Sequence, residues 1–200
     1  FYDREADVVA RDLLGAILEH RASEGVVAGR IVEVEAYMGP HDPACHAAAG
    51  LTARTKPLFG PPGSTYVYFI YGNHWCVNAV TREAGYGAAV LIRAIEPIRG
   101  IELMRTRRPA ARDDRDLTNG PGKLCAALGI DSRLNHAELQ RGALRILAAM
   151  PVRDEDVQVS PRVGITKAAD DMLRFFVSDN RFISRVPTSI SRRAVNYARG

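Results

Sequence analysis

In the heptad Ile31-Val32-Glu33-Val34-Glu35-Ala36-Tyr37, apolar and polar side chains alternate from Val32 to the end. Period two is the mark of a β-strand with one face against a core. It predicts Val32, Val34 and Ala36 on the buried face and Glu33, Glu35 and Tyr37 on the other. Two carboxylates and a phenol then share one surface. An ordinary amphipathic strand with its acidic face in water satisfies the same pattern. The heptad therefore predicts a sheet and leaves the use of its acidic face open.

The chain has 200 residues, 46% of them hydrophobic, which is enough for one ordinary core. We expect a single domain over residues 1–186 and a basic C-terminal tail over 187–200, Ser/Arg-rich and disordered. No run approaches the roughly 18 apolar residues of a membrane helix, and charge from Asp3 onward argues against a signal peptide. Cys45, Cys76 and Cys125 form no CxxC pair, and their odd number argues against a disulfide framework. A reducing, intracellular setting is expected, in the cytoplasm or nucleoid if the source is bacterial. The net charge of +4 is modest, but its distribution is uneven: residues 181–200 carry five arginines and no acid. A second acid-free stretch, Leu51 to Ser64, holds Arg54 and Lys56. Either can be a solvated surface or the footprint of a polyanion.

Helical spacing of Val8, Val9, Leu13 and Leu14 predicts an opening helix between Asp3 and Gly15. Strands follow over 16–21 and 26–37, turned at Ser23-Glu24-Gly25. Residues 38–64 read as one long irregular segment, usually a functional one at that length. Tyr66 to Tyr71 and Trp75 to Val80 form two β-prone runs about Gly72-Asn73-His74, a hairpin with Tyr66 and Tyr68 on one face. Tyr71 stands at its turn, either folded onto the core or exposed for a reason other than packing. Arg93 interrupts the apolar run Ala88 to Ile95, so it is paired with an acid or placed at a site. Pro97 is expected in the first turn of a helix through Ile98, Ile101 and Met104, and Arg108 to Thr118 as a mobile loop. Gly120-Pro121-Gly122-Lys123-Leu124 opens a short helix whose free N–H groups and lysine suit a phosphate, although the motif is weakly specific. Another short helix is expected over 135–140, and strands over 143–148 and 173–177.

A carboxylate on a strand, a downstream histidine, a tyrosine-bearing hairpin and separate basic segments suit hydrolysis of a glycosidic bond in a nucleotide polymer. Several blocks then carry a resemblance. Arg30 through Pro40, Asp42 through His46, Gly63 through Gly72, Val90 through Pro97, Gly120 through Leu124 and Arg162 through Ile165 resemble, in order and spacing, the alkyladenine (3-methyladenine, alkylpurine) DNA glycosylases. The resemblance spans about residues 4 to 185. It implies that Glu35, rather than Glu33, is the general base that deprotonates water for attack at C1′ of a flipped nucleotide. It further implies that Tyr37, His46 and Tyr68 enclose the extruded base, that Asn78 crowds the 2-amino group of guanine, and that Arg93 lines the site. Tyr71 falls on the intercalating tyrosine. Arg54 and Lys123 fit backbone phosphates by charge and context.

The expectation is thus an α+β domain with a curved, mainly antiparallel sheet, edged by short helices and bearing a protruding, DNA-intercalating hairpin. Its function would be monofunctional excision of alkylated purines, 3-methyladenine and related bases with hypoxanthine as a further candidate, from duplex DNA in base excision repair. It would act as a monomer, without cofactor or metal. His41, Asp42, Cys45 and His46 could suggest a metal cluster, but adjacent Cys-His ligands strain tetrahedral geometry. Of the three lysines, Lys56, Lys123 and Lys167, none lies in the Glu35 strand or the hairpin, so a Schiff-base nucleophile is not expected. The rivals are a damaged-DNA-binding module without catalysis and a metal-dependent hydrolase.

Overall fold

In a computed structural model, which describes residues 1–198, one strand of thirteen residues organises the sheet. This strand, β2 (Gly25–Tyr37), pairs along one edge first with β1 (Ile17–Ala22) and then with β8 (Arg174–Val177), and along the other with β5 (Ala88–Arg99). Beyond β5 come β4 (His74–Thr81) and β3 (Thr65–Ile70); beyond β8 come β7 (Val157–Ser160) and β9 (Val195–Asn196), while β6 (Leu144–Leu147) pairs with β1. Every pairing is antiparallel, as expected for an α+β domain. The helices are short: α1 (Ala6–Leu13), α2 (Ile101–Arg107), α3 (Asp114–Thr118), α4 (Pro121–Leu128) and α5 (Thr188–Ser191). None of the described helices is long and apolar enough to cross a membrane.

The alternation in β2 holds only in part. Ile31, Val34 and Ala36 join the main core, but Val32 packs with Ala94 and Phe182 in a separate cluster. The register with β5 slips between Ile31 and Glu33 and again between Glu33 and Val34. Such a bulge re-aims the side chains on either side of it. Nor does the acidic face meet water, because Glu33 and Glu35 are both fully buried.

Pro97 lies in β5, not in a helix, and the helix begins later, at Ile101. Strand β4 covers only Ala88 to Leu91 of β5, so further along β5 has β2 as its strand neighbour and is an edge strand, which tolerates proline. The expected loop over 108–118 contains α3, whose cap residue Asp113 accepts from the amide of Asp116. No helix forms over 135–140; a 3-10 turn spans Ser132–Leu134 instead, and His136 adopts a positive φ of 60°. The tail is not wholly irregular either. It contains α5 and β9, and the Tyr197 ring packs against Phe175 and under the Arg11 guanidinium. Arg199 lies outside the described residues.

Candidate active site

Sheet register brings the polar residues together. Tyr66 stands opposite Asn78, Asn78 opposite Leu91, and Leu91 opposite Glu35, one row across four strands. Tyr68 and Cys76 form the next pair on the same face. Directly opposed residues share a face, so β3, β4, β5 and β2 together present one wall. That wall bounds a cavity of about 560 Å3, closed elsewhere by His46, by Gly120 to Lys123 at the start of α4, and by Val163 to Ile165. Tyr37, Tyr68, His46, Asn78, Arg93, Tyr71 and Lys123 all line it.

Glu35 itself is fully buried just behind the wall. Its Oε1 accepts the amide N–H of Val163 at 2.7 Å and lies 3.3 Å from Arg93 Nη1, while its Oε2 accepts the Tyr37 hydroxyl at 3.0 Å. All three partners line the cavity. Glu33, the other carboxylate of the strand, is engaged differently: its Oε1 accepts Arg93 Nε at 2.9 Å, Arg174 Nε at 2.7 Å and the Ser184 hydroxyl at 2.7 Å. Burial alone would raise its pKa, but the two guanidinium charges and Ser184 override it and hold the carboxyl down at about 2. Arg93 is therefore both paired and at the site, the two alternatives its sequence context left open.

The ring pocket forms a cluster. His46 Nδ1 lies 2.8 Å from the Tyr66 hydroxyl, and its ring meets Tyr68 edge-on at 4.7 Å between centroids. Burial, with the Arg54 charge beside it, lowers the His46 pKa from its ordinary value, which favours neutral imidazole at pH 7. Tyr66 and Tyr68 lie side by side at 5.2 Å, as the alternation predicted. Burial and the Glu35 charge push the Tyr37 phenol well above its ordinary value, so it remains a donor toward that carboxylate. Asn78 Nδ2 donates to the carbonyl of Tyr66 at 2.9 Å.

At the hairpin turn Tyr71 is 78% exposed, so it does not fold back onto the core. Its backbone has φ 56° and that of Gly72 has φ 71°, a left-handed pair that costs little at glycine and more at a bulky residue. Arg54 donates to the Phe69 carbonyl at 3.2 Å, which ties the 51–64 segment to β3. Lys123, by contrast, is engaged by Asp116 at 2.6 Å and Asn119 at 2.8 Å. The structure also brings its side chain to the cavity wall, which chain position did not suggest.

Arg162, Arg174 and Ser184 received no role from the sequence, and Asp42 only that of a metal ligand weighed and set aside. Buried Arg162 bonds both Asp42 oxygens, at 2.5 and 2.9 Å, and the Ala36 carbonyl at 3.0 Å, with its guanidinium 4.8 Å from the centre of the Tyr37 ring. The available signal was the block Arg162 to Ile165, whose Val163 amide reaches Glu35. His41, Asp42, Cys45 and His46 do not converge: His41 contacts Tyr86, and the Cys45 thiol points to the Gly87 carbonyl. Among the described residues no three His, Cys, Asp or Glu side chains form a metal-ligating group.

A fully buried carboxylate one hydrogen bond behind an aromatic, partly basic cavity suits general-base chemistry on a planar guest. The family model described as methylpurine-DNA glycosylase (MPG) matches residues 1–181. A protein of Methanoculleus marisnigri is 50% identical over 188 residues, covering 92% of this chain and 96% of that protein. Relatives from Methanocella arvoryzae and Myxococcus xanthus are 47% and 46% identical, over 97% and 94% of this chain and 94% and 92% of their own lengths. All three carry the name "Putative 3-methyladenine DNA glycosylase". The chain belongs to the methylpurine-DNA glycosylase family and is a DNA glycosylase, a hydrolase of N-glycosyl bonds.

Proposed function

We propose that this glycosylase excises N-alkylated purines such as 3-methyladenine from duplex DNA, after flipping the damaged nucleotide into the Tyr37–Tyr68–His46 cavity. The carrying observation is the contact of Glu35 with Tyr37, Arg93 and Val163, which ties one buried carboxylate to three parts of that cavity's wall. In this reading Glu35 takes a proton from water while the water oxygen bonds to C1′ and the C1′–N bond breaks. The purine leaves with the electron pair, and a cationic alkylpurine becomes neutral as it leaves. A substrate water reaches Oε2 by replacing the Tyr37 hydroxyl. Tyr37 and Tyr68 hold the base by stacking, which positive charge strengthens. Asn78 limits the room beside it, and Tyr71 fills the gap left in the duplex.

Arg54 contacts a phosphate in this reading, and Lys123 does so only by releasing Asp116. No amine nucleophile is used, so borohydride should trap no covalent complex on Lys123. The protein acts as a monomer, with residues 1–186 as the catalytic unit. Hypoxanthine, a neutral leaving group, is a slower substrate because it lacks that charge.

The test is single-turnover release of 3-methyladenine from alkylated duplex DNA in EDTA, wild type beside Glu35→Gln. Release by the wild type alone supports the mechanism. Equal release by a folded Glu35→Gln removes the carboxylate from it, and no release by either from DNA that both bind moves the damage-binding module to first place.

A further inference from the structure

The mechanism above leaves the second glutamate of the strand unused, although burying a carboxylate without need is expensive. Glu33 sits at the bulge, where β2 and β5 slip register twice within three residues. The slip leaves Arg93 beside the bulge, and its guanidinium spans both carboxylates, with Nε 2.9 Å from Glu33 and Nη1 3.3 Å from Glu35. Glu33 is also clamped from the far side by the Arg174 guanidinium, and at its second oxygen by the Ser184 amide at 2.5 Å. Arg174 is itself fixed by the Ser160 hydroxyl at 2.9 Å and by the Phe176 ring under its guanidinium at 4.3 Å. Two carboxylates and two guanidiniums thus share one dry compartment in balance.

We propose that Glu33 is a positioning residue: it holds the Arg93 guanidinium between two carboxylates, so that Arg93 orients Glu35 without locking it into an exclusive ion pair. This rests on Glu35 being the base. A base must be ionised yet free to accept a proton, and an Arg93 devoted to Glu35 would weaken its basicity. Glu33 therefore draws the guanidinium by its Nε, leaving Glu35 the longer contact, one amide and one phenol. The groups that face Glu35 are Tyr37 on its own strand, Arg93 on β5, Tyr68 and Cys76 on β3 and β4, and Arg162 with the Val163 amide on the covering segment; Arg174 on β8 reaches it through Glu33.

The charge balance can be tipped either way, which separates positioning from plain structural support. Glu33→Gln frees Arg93 for Glu35 and leaves excess positive charge, so the acid limb of the single-turnover pH profile should move down by about one pH unit. The plateau rate should fall about three- to tenfold as the base weakens. Arg174→Gln leaves Glu33 paired with Arg93 and Ser184 but draws Arg93 away from Glu35, so its acid limb should move up. Opposite shifts in two folded variants support the inference. Shifts in the same direction, or unshifted limbs with altered plateaus, overturn it and make the network scaffolding only. Should Glu33→Gln not fold, the Arg174→Gln shift decides alone: upward supports, none or downward overturns. Glu35→Gln is run alongside; if it retains activity, the general-base reading has failed, which is a different result from unshifted limbs with an inactive Glu35→Gln.

Discussion

The amide N–H of Val163 donates to Oε1 of Glu35 at 2.7 Å, a bond between residues 128 apart in sequence. It joins the covering segment to the central strand at the carboxylate that also meets Tyr37 and Arg93 of the cavity wall. Proline at this position removes the donor and leaves a buried charged oxygen short of a partner. A hydrogen bond to a charged group contributes roughly 1.5–3 kcal/mol. Val163→Pro should therefore lower single-turnover release by about ten- to a hundredfold while binding to damaged duplex is retained, the two read separately by quench kinetics and by fluorescence anisotropy.

Arg162 and Asp42 form a doubly bonded buried pair beneath Tyr37. Asp42→Asn leaves the buried Arg162 charge facing the exposed Asp171 at 3.9 Å in place of its doubly bonded partner, and breaking such a buried pair costs about 3–5 kcal/mol. In a domain of this size the melting temperature should drop by about 6–20 °C. The double variant Asp42→Asn with Arg162→Met should melt above the single one, because the poorly paired charge is gone. A double variant that melts below it would refute the assignment of the cost to that charge.

Acid should unfold the protein through Glu33. Its folded pKa is about 2, against about 4.3 for an unfolded glutamate. A depressed pKa means that the folded state binds the proton less readily, so this stabilisation is complete above the unfolded value and disappears as pH falls from about 4.3 toward 2. Thermal melts across that window should show a steep loss for the wild type and a shallower one for Glu33→Gln.

At the turn, Tyr71 carries a backbone conformation that suits glycine better. Tyr71→Gly should leave stability unchanged or raise it by up to about 1 kcal/mol, since little packing is lost at a side chain this exposed. Affinity for damaged duplex should fall nonetheless. Stability measured by urea titration and affinity by anisotropy should thus move apart; a parallel fall in both would mean that the ring has a packing role.

Salt dependence should separate two basic residues. Arg54 is bound to a neutral carbonyl, whereas Lys123 is already neutralised by Asp116. Arg54→Ala should reduce the slope of log K against log salt by about 0.9, one phosphate's worth, and Lys123→Ala by clearly less.

Much of this site could be read along the chain because β-strands display their side chains at a fixed period. Alternation put Glu35 and Tyr37 on one face of β2 and Tyr66 and Tyr68 on one face of β3, and a charge misplaced in an apolar run singled out Arg93. The blocks that resemble the family separated Glu35 from Glu33, which alternation could not. What escaped depends on register between strands. The bulge that turns Val32 away from the main core leaves no trace in the heptad itself, since it arises from the offset against β5. Pro97 was misassigned because its tolerance in β5 depends on where β4 stops. Arg174 and Ser184 meet Glu33 from 141 and 151 residues away, a closeness that no local pattern carries, and β7, polar at Gln158 and Ser160, gives no apolar run like those that marked β6 and β8.

Strand β9 is two residues long, yet it lies along β7, with Gln158 opposite Asn196, Val159 opposite Val195, and the Tyr197 amide bonded to the Val157 carbonyl. Without it the outer rim of the sheet would present a bare row of amides and carbonyls, a template for another chain's rim. The arginine-rich terminus therefore serves the sheet as a selvedge serves cloth: it finishes the last thread so that sheets in a concentrated solution do not stitch to one another. Its positive charge adds mutual repulsion between molecules to that protection.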